Sequence, residues 1–433
     1  MEIAIIGSGI SGLAVAHALQ GQAALTLFEA GGYFGGHTHT VDVTLPSPKG
    51  PVTHGVDTGF LVFNERTYPK LIALFAELGV PTAKSDMSFS VRVPQSGGAA
   101  LEWSGSSLDT VFAQRSNLFK PRFWKMLREV MRFNALATHI AESGAEIELN
   151  QPLSVFLQQH RFSAEFRDWY FLPMLGCIWS CPTDQMLQFP VATMIRFCHN
   201  HGLIQVTNRP QWWTVSGGAR QYVEKIVAGI ADKRLNTPVD NIRRDAQGVW
   251  IRAQGNTERF DKVVLACHSD QSLRLLSDAS VAERATLGAI RYQANRAVLH
   301  TDTAVLPRAR RAWAAWNYER AADTAQEQSR VCLHYLLNML QPLPFTQSVV
   351  VSLNPVAEIA AKHVIGAYDY DHPVFDLAAI QAQKQVAALQ GQRGTYFCGA
   401  WTGYGFHEDG LSSGLEAARR VQQALAVSEL LAA

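Results

Sequence analysis

The sequence predicts an α/β fold, with one domain built on a parallel sheet and a second part of mixed helical and antiparallel-sheet character. Three observations carry that expectation. An apolar, β-branched run at Glu2–Ile6 leads straight into a glycine-rich turn and an alanine-rich stretch, which is how a strand buried on both faces hands over to a helix. A second such run, Ala24–Phe28, ends in an acid, Glu29. Further strand signals recur near Trp213, beside a glycine pair, and near Thr395, far along the 433-residue chain, so the sheet is expected to collect its strands from separated segments.

Composition narrows the function classes. With 47% hydrophobic and 17% charged residues, the chain has apolar material for large cores and too little charge for extended disorder. Its 38 Lys and Arg against 37 Asp and Glu leave a net charge of +1, no global field for gripping a phosphate backbone. A nucleic-acid partner is not expected. Six cysteines without a CxxC pair suggest neither a disulfide framework nor a zinc site, and no metal site is expected. A reducing cytoplasm fits best. Met1 and Glu2 run directly into a strand rather than a signal peptide, and the longest nearly apolar stretch, Tyr170–Cys181, is short of the roughly 20 residues of a spanning helix.

The first motif is GSGISG. Gly7, Gly9 and Gly12 satisfy G-x-G-x-x-G between a strand and a helix, which is the context the motif needs. Gly7 permits the tight turn, Gly9 lets backbone approach a pyrophosphate, and Gly12 lets the helix pack on the strand. Ile10 and Ser11 open that helix, whose N-terminus faces the phosphates. Glu29 stands 17 residues after Gly12, where a carboxylate accepts hydrogen bonds from a ribose diol and disfavours a 2′-phosphate. A Rossmann-like dinucleotide site follows from these elements together.

After Glu29 and Ala30 comes a second glycine pair, Gly35 and Gly36. This resembles the E-x5-G-G-R-x-x-[ST] segment of flavin amine oxidases and phytoene desaturases, with His37 where those proteins usually carry Arg. The segment Gly55–Asn64, with Asp57, Thr58 and Gly59, resembles the stretch that approaches the isoalloxazine in the same proteins. The resemblance implies a glutathione-reductase or amine-oxidase type of FAD-binding domain. Noncovalent FAD is its implied cofactor, with Val239 offering backbone groups to the adenine. The segment Thr395–Ala418 resembles the motif that closes the FAD site. It implies contacts from Gly399 and Ala400, with Glu408 or Asp409 replacing the acid absent at position 400. Gly410 is expected at a helix start, with the N–H groups of Leu411 and Ser412 aimed at the flavin N1/C2=O edge, where charge gathers on reduction.

The likeness extends to a narrower group of FAD/NAD-binding oxidoreductases that also resemble the N-terminal region of plant cyclopropane fatty-acid synthases. It is carried by FLVFNERTYP, IWSCP, RFCHNHGL, QWWTVSGGARQYV, AVLHTD, AWNYE, SLNP and CGAWTGYGFHEDGL. It implies a lipid or other small-molecule substrate and a lipid methyltransferase or cyclopropane synthase as partner. The expected division is 1–85, 213–268 and 368–433 for FAD binding, with 86–212, largely helical, and 269–367, sheet, for substrate.

Within the substrate part, the tract from Asn117 to Ala137 carries Phe119, Phe123, Leu127 and Val130 at helical spacing beside a basic face. A core-packing helix with a solvated basic face is the first reading, and a peripheral contact with the inner membrane surface the alternative. Cys177 and Cys181 are read as packing residues, and His199 and His201 as local hydrogen-bonding groups. Trp401, Tyr404, Phe406 and His407 are read as walls of the flavin cavity, with core packing an equal alternative. His407 is the polar candidate for proton handling. The expected function is transfer of hydride from a substrate C–H bond to flavin N5, in dehydrogenation or desaturation of a modified acyl chain. The alternatives are a peroxide-producing amine oxidase and a non-catalytic FAD-binding accessory to a lipid methyltransferase.

Overall fold

The computed structural model describes residues 1–95, 98–144, 151–205, 209–322 and 330–432. In the strand Glu2–Ile6, successive side chains enter two different cores. Ile3 and Ile5 pack with Leu13 and Leu27 on one face, while Ala4 and Ile6 pack with Phe28 and Val263 on the other. A strand covered on both faces reads as a continuous apolar run, as this one does, and each large side chain so enclosed contributes roughly 1.5–3 kcal/mol.

This strand pairs in parallel with Ala24–Phe28 on one side and Lys262–Leu265 on the other. Asp232–Arg234 extends the sheet beyond the former and Thr395–Phe397 beyond the latter. One five-stranded parallel sheet therefore joins three distant stretches of chain. Helices Ile10–Leu19 and His407–Ala432 pack together against it. A Cβ on Gly414 would stand 2.3 Å from the carbonyl oxygen of Ser11, and one on Gly410 2.8 Å from Ile10 Cγ2, so small residues set how closely these helices approach. A three-stranded antiparallel sheet, Val239–Asp245, Gly248–Ala253 and Asn256–Phe260, covers the opposite face.

The second part is a seven-stranded sheet in the order Val364–Val374, Arg291–His300, Val350–Leu353, Cys332–Leu336, Trp316–Glu319, Phe89–Gln95, Gly98–Ser104. Its pairs are antiparallel except Trp316–Glu319 with Phe89–Gln95. Period-two alternation divides its faces. Trp316, Tyr335, Val351 and Leu353 lie on the cavity side. Asn317, His334 and Ser352 lie on the far side, where Ser352 Oγ is within 2.6 Å of His334 Nδ1 and 2.7 Å of His300 Nε2. Helices Leu172–Trp179 and Val191–Asn200 complete the cavity wall.

Besides its helices, the 86–212 stretch supplies Phe89–Gln95 and the edge strand Gly98–Ser104 to the seven-stranded sheet. Two boundaries differ from the expected division. Residues 269–290 do not join the antiparallel sheet, since Leu276, Leu287 and Ile290 pack into the core beneath the parallel sheet. The strand Val364–Val374 runs through the boundary at 367/368, held along its length by Arg291–His300. The basic tract forms a helix at Pro121–Ser143, where Phe123, Met126 and Phe133 are buried. Phe119 lies before it in a 3-10 turn and is 86% exposed, so it packs in no core.

Candidate active site

The parallel strands end at Ile6, Phe28, Leu265 and Phe397, and the crevice beyond their carboxyl ends is where open α/β sheets bind ligands. A cavity of about 640 Å³ begins there and continues between the seven-stranded sheet and the helices. Its size falls within the roughly 300–1,000 Å³ usual for small-molecule sites.

At the nucleotide end the cavity is lined by Gly7, Gly9, Ile10, Ser11, Glu29, Ala30, Gly35, Gly36, Val239, Gly399 and Ala400. Gly9 caps the helix Ile10–Leu19 without a side-chain hydrogen bond, so the first N–H groups have no side-chain cap. A Cβ added to Gly9 would meet no protein atom within 4 Å: the space above this turn is open, as a phosphate seat requires. Gly7, with φ of +102°, has the opposite surroundings: a Cβ added there would stand 2.9 Å from the Ala266 carbonyl oxygen. Glu29 ties the two glycine turns together. Its Oε2 accepts from the Ser8 N–H (3.0 Å) and hydroxyl (2.5 Å), its Oε1 accepts from the Gly31 N–H (2.8 Å), and Ser8 Oγ accepts from the Gly35 N–H (3.1 Å). The open seat, the uncapped helix start and the fixed carboxylate fit the pyrophosphate and ribose of a dinucleotide.

The middle of the cavity is rich in uncharged imidazoles. His37 and His407 line it with Thr58, Gly59, His268 and His372. Burial, with His372 and His268 nearby, holds the His37 pKa well below the usual histidine range. It therefore brings no positive charge where the family's Arg would stand. Burial lowers His372 to about 4, and Asn295 Nδ2 donates to its Nδ1 at 2.8 Å. His407 is lowered to about 3 by burial. Its Nε2 meets Tyr222 Oη at 2.8 Å and Thr38 Oγ1 at 3.1 Å, and its ring stacks on Phe60 at 3.8 Å. Burial thus favours the neutral form of this imidazole, in which one ring nitrogen donates and the other accepts. Trp401 and Tyr404 also line the cavity; Trp401 is buried and donates its indole N–H to the Cys267 carbonyl at 3.1 Å.

Several expected contacts lie elsewhere. Gly12 keeps the packing role expected of it, since a Cβ there would be 2.0 Å from the Gly7 carbonyl oxygen, and it does not line the cavity. Asp57 is buried outside the cavity lining and acts as a hub. It accepts from the Thr40 hydroxyl, the Ala219 N–H at 3.0 Å and the Gln341 amide at 2.7 Å, and burial pushes its carboxyl up to about 6. Gly410, Leu411 and Ser412 are inside a helix that begins at His407. The Gly410 N–H donates to the Phe406 carbonyl, so these amides are engaged within the helix and absent from the lining. Glu408 accepts from the N–H groups of Lys70 and Leu71, and Asp409 from that of Phe406. Neither acid is placed to replace the one missing at Ala400.

Other lining residues carried no motif: Thr237, His268, Gln271, Arg274 and His372. His268, Gln271 and Arg274 could have been found from topology, because they follow the parallel strand Lys262–Leu265 at its carboxyl end. Cys177 and Cys181 are buried and their thiols pushed up by burial, unlike reactive thiolates; Cys177 also lines the cavity. The His201 ring meets the Phe197 carbonyl at 3.0 Å and lines the cavity too. Away from it, Glu319, Cys332 and His334 place one ligand-type atom each within 4.8 Å of one another, a grouping with no signature in the sequence. There Glu319 Oε2 already meets His334 Nε2 at 3.1 Å, and Arg92 pairs with the same carboxylate at 3.1 Å.

The family model of flavin containing amine oxidoreductases matches residues 10–311. No curated protein matches the chain in sequence. Among solved structures, it resembles cyclohexylamine oxidase from Brevibacterium oxydans IH-35A at 17% identity and TM-score 0.68, over 98% of this chain and 99% of that one. Wild-type putrescine oxidase bound to putrescine gives 16% and 0.67, over 98% and 99%. The CLA-producing fatty acid isomerase from P. acnes gives 16% and 0.65, over 96% and 98%. At such identities these likenesses speak for the fold, whereas the family match runs through more than half of the sequence. The chain thus belongs to the flavin containing amine oxidoreductases and is an FAD-dependent oxidoreductase.

Proposed function

We propose that the enzyme dehydrogenates or desaturates a modified fatty-acyl lipid, with noncovalently held FAD. The observation that carries this reading is the far end of the cavity, walled by Met87, Ile178, Leu203, Trp212, Val351 and Leu353. The acids in the lining are Glu29, tied to the glycine turns, and Asp371, beside His372. An ammonium group in the apolar end would meet no carboxylate there, while an acyl chain would exchange water for hydrocarbon contact. Trp179 and Trp316 add aromatic surface to the same wall.

FAD supplies the hydride acceptor, flavin N5, when bound. The chain's own residues bind, orient and keep dry. In this reading Gly7, Gly9, Ile10, Ser11, Gly35 and Gly36 seat the pyrophosphate, Glu29 and Ala30 meet the ribose, and Val239 the adenine. His37, Thr58, Gly59, Gly399, Ala400, Trp401, Tyr404 and His407 surround the remainder. The division 1–85, 213–268 and 368–433 for FAD and 86–212 and 269–367 for substrate is kept, with the edges moved as the sheets require. A lipid methyltransferase is the partner implied by the resemblance, and the cytoplasm the implied compartment.

The test is an anaerobic screen of flavin bleaching with total lipid extract and an amine panel. Bleaching by an acyl lipid supports the proposal. Bleaching by amines alone, with peroxide and an aldehyde or imine formed in air, replaces it with amine oxidation. Co-purification with a lipid methyltransferase and no turnover by the isolated chain replaces it with an accessory role. In the active case, His407→Gln keeps FAD bound, and the wild-type reduction rate shows no imidazole inflection between pH 5 and 8. An inflection present in wild type and lost in the variant overturns the neutral assignment.

A further inference from the structure

The basic tract opens an uneven surface rather than a smooth solvated face. Around it, Leu108 is 79% exposed, Phe119 86%, Met131 56%, Trp124 44% and Leu118 41%. These residues form one patch. The Trp124 indole N–H donates to the Leu118 carbonyl at 2.9 Å, and its ring lies 5.2 Å from that of Phe112, which follows the short helix Leu108–Val111. Trp124, Arg128 and Met131 succeed one another along the exposed side of helix Pro121–Ser143, at spacings that share a face.

The charge of the patch is net positive, although Arg115 pairs with Asp109, Arg122 and Lys125 with Glu165, and Arg132 with Glu129. Residues 105–135 hold Arg115, Lys120, Arg122, Lys125, Arg128 and Arg132 against Asp109 and Glu129. Glu129 is turned inward, accepting from the Ser163 N–H at 3.2 Å. The turn Arg310–Ala312 packs against Leu108–Val111 and brings Arg310 and Arg311 alongside. This is a concentrated basic field on a chain whose net charge is only +1.

We propose that this patch docks the enzyme on an anionic lipid bilayer, with Phe119, Leu108 and Trp124 entering the interface and the surrounding cations meeting lipid phosphates. Side chains that stand almost fully clear of the protein suit a fluid hydrocarbon boundary, which needs no complementary pocket. Aromatic rings and basic residues are the combination that settles at a membrane interface. A second copy of the chain is a poorer occupant, since a twofold contact would set the same cations against each other. Among the described residues no helix is long and apolar enough to cross a membrane, so the contact is superficial. The proposal is independent of which substrate the cavity takes.

The test uses the FAD-loaded full chain in co-sedimentation with vesicles of phosphatidylcholine alone or mixed with phosphatidylglycerol. Binding to the mixed vesicles is expected, weakened by salt, with about fivefold lost for each cation removed in Lys120→Gln and Arg122→Gln. Leu108→Ser with Phe119→Ser is expected to lower binding at least about fivefold, from the lost apolar burial, while flavin content and thermal midpoint stay unchanged. Equal sedimentation with neutral and anionic vesicles at low salt overturns the proposal. So does a wild-type dimer in solution that Phe119→Ser converts to monomer without any vesicle binding. Flavin bleaching by detergent-dispersed substrate is read separately, so failure here leaves the catalytic reading untouched.

Discussion

At Gly9 the backbone has φ of −63°, which any L residue adopts, and a Cβ there would touch no protein atom. Space in the fold therefore does not demand glycine here; in the proposed reading the cofactor's phosphates do. Gly9→Val is expected to leave the apo stability within about 0.5 kcal/mol, as for a substitution with no protein contacts, yet to abolish flavin retention. The ratio of flavin to protein absorbance and the apo unfolding curve check this, and a fully flavinated Gly9→Val would remove the phosphate seat from the turn. Gly7→Val is the contrast. With φ of +102° and a backbone oxygen 2.9 Å from the added carbon, it is expected to destabilise the apo fold itself. The strand, turn and helix around these glycines are readable from residues 2–12. Asp57 shows the limit of such reading: its three hydrogen-bonding partners come from residues 40, 219 and 341, and no local motif says that they surround it.

Among the elements, the pairing of helices Ile10–Leu19 and His407–Ala432 positions the phosphate end of the cavity. Gly414 lets them meet. Two effects compete in Gly414→Ala: intrinsic helix propensity favours alanine by about 1 kcal/mol, whereas a Cβ 2.3 Å from the backbone oxygen of Ser11 forces a shift of the kind that costs roughly 1–3 kcal/mol. The clash involves backbone and has no flexible side chain to yield, so net destabilisation and weaker FAD binding are expected together. Thermal unfolding and FAD titration of the variant check both, and a stabilised variant with unchanged affinity would show that the helices part freely. The start of the second helix was misplaced from sequence because a glycine marks a helix boundary only when its conformation does. Gly410 is glycine for the approach of Ile10, and the helix begins three residues earlier.

For the whole molecule, buried imidazoles govern the response to acid. Burial lowers His37, His39, His201, His268, His300, His372 and His407 below their usual range. Unfolded histidines take up protons near pH 6.5 that the folded chain refuses, so this stability is present above that pH and is lost as pH falls. Asp57 and Asp409, raised to about 6 by burial, act in the opposite sense: their contribution grows as pH falls from about 6 towards 4. Glu408, raised by burial, and His334, raised against its burial to about 9 by Cys332 and Glu319, act in that same opposite sense, and the seven lowered histidines outweigh these four groups. The urea midpoint is expected to fall between pH 6.5 and 4.5, with the unfolding free energy dropping by more than about 1 kcal/mol per pH unit at the steepest point. A midpoint that is flat or rises over that interval would mean that these histidines are hydrated and titrate normally.

The sequence by itself determined the parallel sheet, the glycine turn, the ribose acid and the family resemblance, because each rests on neighbours within a dozen or so residues or on a segment motif. Strand Ala24–Phe28 and the position of Val239 at the start of its strand are legible for the same reason. Only the tertiary structure decided where strand Val364–Val374 belongs, that His268, Arg274 and His372 face the cavity, and that Phe119 stands in solvent. Apolar periodicity specifies that a side chain can be buried, but burial needs an opposing surface, and none packs over Phe119. Likewise, a histidine reads alike as ligand, base or packing group until the fold places it. Desolvation by distant segments then makes it neutral, and that property is written nowhere in the residues beside it.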